Sequence, residues 1–238
     1  MWPHSNKPLR LALIGMSGAG KSFWASRIAA AGYPSVSCDS EIELRLKPAL
    51  ETRGYSGING VAAWMGWPHL PTYAEREAAY LSEEIAVLDE VLTGLEKNPE
   101  RDLVLDTTGS VIYVGNHLLH RLRKQLLVVY LAASRDEQEL LIQRYLADPK
   151  PVLWRGAFQA RSGEAPKETV ARCYPVLIGA RRQSYEALAH CSIPVSDLRV
   201  PLLREEAADK KAVGERFLEM VRHHLERGNN PAKAEPGA

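Results

Sequence analysis

The chain has 238 residues, 45% of them hydrophobic and 25% charged, the balance of a globular protein that buries a real core. Thirty Lys and Arg against 29 Asp and Glu leave a net charge of +1, without the basic excess of a dedicated nucleic-acid binder. The longest wholly apolar stretch, Leu126 to Ala133, falls far short of the ~20 residues of a membrane span, and Met1 to Pro8 has no signal-peptide core. Cys38, Cys173 and Cys191 are scattered without metal-ligand spacing, so reduced thiols and a cytoplasmic location are expected.

In chain order, Leu9 to Ile14 reads as a buried strand, followed by a Gly-rich turn and a helix from Lys21 to Ala31. Ser35 to Cys38 is a short second strand, and Asp39 is placed to cap the helix after it. Residues 53–72 hold several Gly and Pro among Trp64 and Trp67 and read as an irregular aromatic insertion. Its aromatics, with Tyr55 and Tyr73, either stack on an acceptor or form a small satellite core. From Leu81, the positions Ile85, Leu88, Leu92 and Leu95 make a core-facing helix stripe. Leu103 to Leu105 and Leu126 to Leu131 are further buried strands, and Ser134 caps a helix running to about Ala147. Residues 148–166 read as a mobile lid, Ser192 to Val195 as a last strand, and Glu205 to Leu225 as a closing helix. The expectation is one domain over 1–228 with a disordered tail at 229–238. Buried strands alternating with helices give an α/β fold: a five-stranded parallel sheet between two helical layers, in strand order 2-3-1-4-5.

The strongest motif is Gly15-Met16-Ser17-Gly18-Ala19-Gly20-Lys21-Ser22, a full G-x-x-x-x-G-K-[ST] match between a strand and a helix. Its glycines let successive N–H groups of Ser17 to Phe23 point inward at phosphate oxygens, and the helix adds its positive end. Lys21 reaches the β- and γ-phosphates of ATP, and the Ser22 hydroxyl joins the Mg²⁺ shell. No base-reading N-K-x-D follows, which argues against a GTPase and for a small kinase with a closing lid.

Past this loop the chain resembles shikimate kinase and its relatives among the nucleoside-monophosphate-kinase-like P-loop kinases, in spaced pieces from Leu9 to Val195. Cys38-Asp39-Ser40-Glu41-Ile42-Glu43 resembles that family's D-x-x-I-E stretch, which makes Asp39 the candidate base toward an acceptor hydroxyl; a plain helix cap is the alternative. Asp106-Thr107-Thr108-Gly109-Ser110 stands where the family has a T-G-G-G substrate loop, with Thr108 and Ser110 replacing glycines. Asp106 also fits a Walker-B carboxylate that helps hold Mg²⁺, or a strand-end carboxylate bonded to backbone N–H groups. The position two before Asp39, often a second metal-associated aspartate in the family, is Ser37.

By the same resemblance, Arg144 is the adenine-stacking residue, Lys150 and Arg155 are the lid cations, and Arg181 grips an acceptor carboxylate. The family's second carboxylate-binding arginine has Ala74 in its place, within Tyr73-Ala74-Glu75-Arg76-Glu77, and Arg76 is expected to face away. The implied function is transfer of the ATP γ-phosphate to a small-molecule alcohol other than shikimate. The alternatives are a nucleotide-binding regulatory module without transfer and a nucleotide or nucleic-acid-end kinase.

Overall fold

The computed structural model describes residues 8–147, 150–199 and 209–228; the expected tail at 229–238 and the first residues of the expected closing helix lie outside them. Five strands form one all-parallel sheet: β1 (Arg10–Ile14), β2 (Ser35–Ser37), β3 (Leu103–Asp106), β4 (Leu127–Ala132) and β5 (Cys191–Pro194), in the order β2-β3-β1-β4-β5. This is the expected architecture. Side chains alternate across the sheet, as the pleat requires. Leu11, Leu13, Val104, Val129 and Leu131 enter one core, and Ala12, Ile14, Leu105, Val128 and Tyr130 enter the other.

The first core is covered by α1 (Lys21–Ala30), α8 (Val195–Arg199) and α9 (Lys210–Gly228), through Trp24, Ile28, Leu198 and Phe217. Trp24 stacks on Phe217 at 4.7 Å. The second is covered by α2 (Cys38–Glu51), α3 (Gly57–Met65), α4 (Tyr73–Lys97), α5 (Asn116–Gln125), α6 (Arg135–Ala147) and α7 (Pro166–Leu188). No helix among the described residues is long and apolar enough to cross a membrane.

Three local expectations are corrected. Cys38 opens α2, and Ser37 is its N-cap, accepting from the Ser40 N–H; Asp39 is therefore inside the first turn and is not the cap. The segment 53–72 is not irregular throughout, because it contains α3, whose Val61, Trp64 and Met65 are buried in the second core. Helix α4 begins at Tyr73, and Ile85, expected on its inward stripe, is 36% exposed. Of the expected lid, 148–149 lie outside the described residues, and within the rest Val152, Leu153 and Trp154 are buried. The Ser134 cap is as expected, with Ser134 and Glu137 exchanging side-chain-to-backbone bonds at 3.3 and 2.8 Å.

Candidate active site

The loop between β1 and α1 turns on Gly15, Gly18 and Gly20, whose φ values of 141°, 81° and 98° lie in the region that glycine alone adopts freely. Gly20 is the N-cap of α1 and no side chain caps it, so the first N–H groups of α1 are left for an anion. The Ala19 N–H is engaged by the Met16 carbonyl at 3.1 Å. The Phe23 ring packs edge-on to Trp24 with the Arg27 guanidinium 3.3 Å above it. Lys21 is buried, and its ammonium donates to the Gly15 and Met16 carbonyls at 2.9 and 3.0 Å. Burial lowers its pKa, against the pull of Asp106 and Asp39.

Two carboxylates approach this lysine from the carboxyl ends of the neighbouring strands β2 and β3. Asp39, half-buried in the first turn of α2, accepts from the Tyr80 hydroxyl at 3.1 Å; burial raises its pKa while Lys21 and Tyr80 oppose the rise. Asp106 ends β3, buried beside the Ser22 hydroxyl, with its Oδ1 unpartnered. Burial raises its pKa too, against Ser22 and Lys21. In register, Asp106 lies opposite Ser37, so the one carboxylate of that strand pair is Asp106. The orphaned Asp106 oxygen and the Ser22 hydroxyl suit Mg²⁺, which takes one or two protein oxygens and completes its shell with phosphates and water. A further buried carboxylate, Glu84, lies behind them on α4 and faces Asp39 and Arg181.

On α7, Arg181 is 6% exposed, donating to the Gly109 carbonyl at 3.1 Å and the Leu153 carbonyl at 2.7 Å; its Nε is buried without a partner. Gly109 crosses directly over the phosphate loop, where a Cβ would lie 3.3 Å from the Ser17 nitrogen. The Thr108 hydroxyl, expected to face an acceptor, turns inward to Glu84. Exposed Arg155 and buried Arg181 both approach the Tyr113 ring, at 5.9 and 5.3 Å.

A cavity of about 320 Å³ opens between the phosphate loop and the lid, lined by Ser17, Gly18, Leu141, Arg144, Lys150 and Tyr174 among others. It is of ligand size. Lys150 also bonds the Asn59 carboxamide of α3 at 2.5 Å. By contrast, the space between Ser17, Gly109, Val152 and Arg181 is closed down to about 10 Å³. Arg76 donates to the Trp64 carbonyl, and Ala74 is exposed, so neither reaches Arg181's side of the site. Trp64 is core, while Trp67 meets Tyr145 edge-on at 5.9 Å.

In architecture the chain matches a shikimate kinase from Acinetobacter baumannii in complex with shikimate, with 21% identity and a TM-score of 0.56 over 92% of this chain and 95% of that one. It matches the shikimate kinase from Bacteroides thetaiotaomicron with 19% identity and a TM-score of 0.54, over 90% and 98%. The chain has the shikimate kinase fold. No family model and no curated protein matches it in sequence. Within this fold, the lysine, Asp39, Asp106 and Arg181 expected from the sequence do converge. Tyr80, Glu84 and Tyr113 were missed, and only Glu84 carried a signal, an acid on the inward stripe of a helix.

Proposed function

We propose that the protein is an ATP-dependent phosphotransferase that moves the γ-phosphate of ATP to a hydroxyl of a small molecule. The observation that carries this reading is the convergence of charge around Lys21, which feels Asp106, Asp39 and Arg181 together at the carboxyl ends of β1, β2 and β3. Lys21 and the open N–H groups of α1 bind the phosphates, with Arg144 on the nucleotide side and Lys150 and Arg155 as lid cations. Asp39, held by the Tyr80 hydroxyl and raised by burial, takes the proton from the acceptor hydroxyl at its carboxylate. Ser22 and Asp106 hold Mg²⁺, which supplies neutralising charge at the β- and γ-oxygens when bound. Thr108 contributes to the acceptor side through backbone, and Gly109 and Arg181 face it directly.

Shikimate is a poor acceptor in this reading, because Ala74 supplies no second guanidinium and Arg76 is committed to the Trp64 carbonyl. The expected setting is cytoplasmic.

Single-turnover transfer with ATP and Mg²⁺, to acceptors drawn from pooled alcohols, sugars, nucleosides and acids, tests the reading. Asp39→Asn keeps the shape of the side chain and lies outside the cap of α2, so transfer should fall by roughly 10²-fold at unchanged ATP affinity. Transfer at the wild-type rate would move the base elsewhere. The closed space at Arg181, about 10 Å³, favours one rival: a nucleotide-binding module without transfer. That rival gains if ATP binds and no acceptor in the screen is phosphorylated.

A further inference from the structure

Glu84 lies in the middle of α4, 2% exposed, and the phosphotransfer chemistry above does not use it. Its carboxyl oxygens take one loop hydroxyl each, Thr108 at Oε1 and Ser110 at Oε2, the second at 2.7 Å. The two hydroxyls are 3.0 Å apart, and the Ser110 N–H donates to Thr108 Oγ1, also at 3.0 Å. Three side chains thus close a buried ring under the loop. Gly109 stands between the two hydroxyl residues, and its carbonyl accepts from both Arg181 and Tyr185. The ring therefore sets one of the two carbonyls, Gly109 beside Leu153, on which Arg181 is docked. It also uses the Ser110 N–H internally, which withdraws a donor from the cleft.

We propose that Glu84 is a positioning residue of this site: its carboxyl clamps Thr108 and Ser110, and through Gly109 it fixes Arg181 and the crossing of the loop over Ser17. Its consequence for rate rests on the phosphotransfer reading, whereas the clamp itself does not. The groups facing Glu84 are Cys38 and Asp39 from α2, Tyr80 from its own helix and Arg181 from α7. An ionised carboxylate accepts from both hydroxyls. A protonated carboxyl, or a Gln amide, keeps the ring by donating to Thr108 and accepting from Ser110, while Thr108 passes its own proton to Ser110. Ala cannot close it.

The test uses the full chain as Glu84→Gln and Glu84→Ala, with two readouts. In backbone amide exchange of the free protein, Glu84→Ala should speed residues 107–111 and 152–155 by about tenfold or more while β1 and β4 stay protected. Glu84→Gln should exchange like the wild type. With ATP·Mg²⁺ and water as the probe acceptor, Glu84→Ala should lower kcat on the order of 10²-fold at unchanged KM for ATP, the scale of a misplaced reacting group. Glu84→Gln should keep most of kcat, because its amide still closes the ring. If Glu84→Ala does not fold, Thr108→Val keeps the side-chain shape, opens the ring, and should reproduce the loop exchange. Loop exchange unchanged in the ring-opened variant, or raised equally across the whole sheet, overturns the proposal. A wild type that neither binds nor turns over ATP sinks the phosphotransfer reading, and the exchange readout then still decides the clamp.

Discussion

The carboxyl of Glu84 makes stability depend on pH in a direction opposite to that of a salt-bridged acid. Burial pushes its pKa from 4.5 up to about 7, although the Thr108 and Ser110 hydroxyls pull the other way. Between those two values the native state holds a proton that the unfolded chain has released, so stability falls as pH rises and levels off above the folded value. The whole drop is on the order of 3 kcal/mol. Glu84→Gln carries no charge to bury. Its stability relative to the wild type, read from urea melts, should therefore climb from about pH 5 to about pH 8. A flat difference across that range would mean that Glu84 does not titrate there. The residue also marks where reading side chains one by one reaches its limit. Lys21, Asp39 and Asp106 were legible because their chemistry is written in local spacing after a strand. Glu84 sits three residues after Leu81 and four before Leu88, an inward position on α4, and its partners Thr108 and Ser110 lie in another element. Their hydroxyls read as substitutions in a glycine loop until the acid beneath them is known.

Among the elements, the first turn of α4 and the segment after Lys150 hold one another. The Tyr73 hydroxyl lies 2.7 Å from the Val152 carbonyl and accepts from the Trp154 N–H at 3.1 Å. Glu77 Oε1 lies 2.9 Å from the same hydroxyl and accepts the Arg155 N–H at 3.0 Å. Arg181 adds the Leu153 carbonyl. A Pro- and Gly-bearing stretch reads as mobile from composition, yet its backbone is satisfied by side chains that come from far along the chain. Tyr73→Phe keeps the ring but strands a buried N–H and a buried carbonyl, which should cost about 1–3 kcal/mol. The checks are a lower melting temperature and a red shift in Trp154 emission; an unchanged melt would show that the strap is held without Tyr73. Helix α3 teaches the converse. Gly60 lowers its intrinsic propensity by ~1 kcal/mol, and Gly57, at φ 69°, opens it in a conformation that favours glycine, so the segment reads as irregular. Packing of Val61, Trp64 and Met65 into the core outweighs that local preference.

Across the whole molecule, the sheet order and the two helical layers were legible because buried parallel strands leave continuous apolar runs. The docking of α9 on α1 was not, since nothing local says which helices touch. There, a Cβ on Gly214 would sit 2.2 Å from the Arg27 carbonyl oxygen, so the two backbones approach where only glycine fits. Gly214→Val should destabilise the protein by about 1–3 kcal/mol or more, measured by urea unfolding, because the helices must part around the Trp24 and Phe217 stack. A neutral result would mean that α9 shifts at little cost. The sheet has a further consequence, for the order in which the molecule assembles. β1, which launches the phosphate loop, pairs Leu11 with Val104 on one side and with Leu127 on the other. Both pairings close very long stretches of chain, so this central strand is expected to seat late in folding. The phosphate loop then has no fixed seat in the transition state if that strand is unpaired there. ATP·Mg²⁺ should accordingly slow unfolding while leaving the refolding rate as it is. In stopped-flow traces, only the unfolding limb of the chevron should move with nucleotide; a faster refolding limb would place the seating of β1 before the barrier.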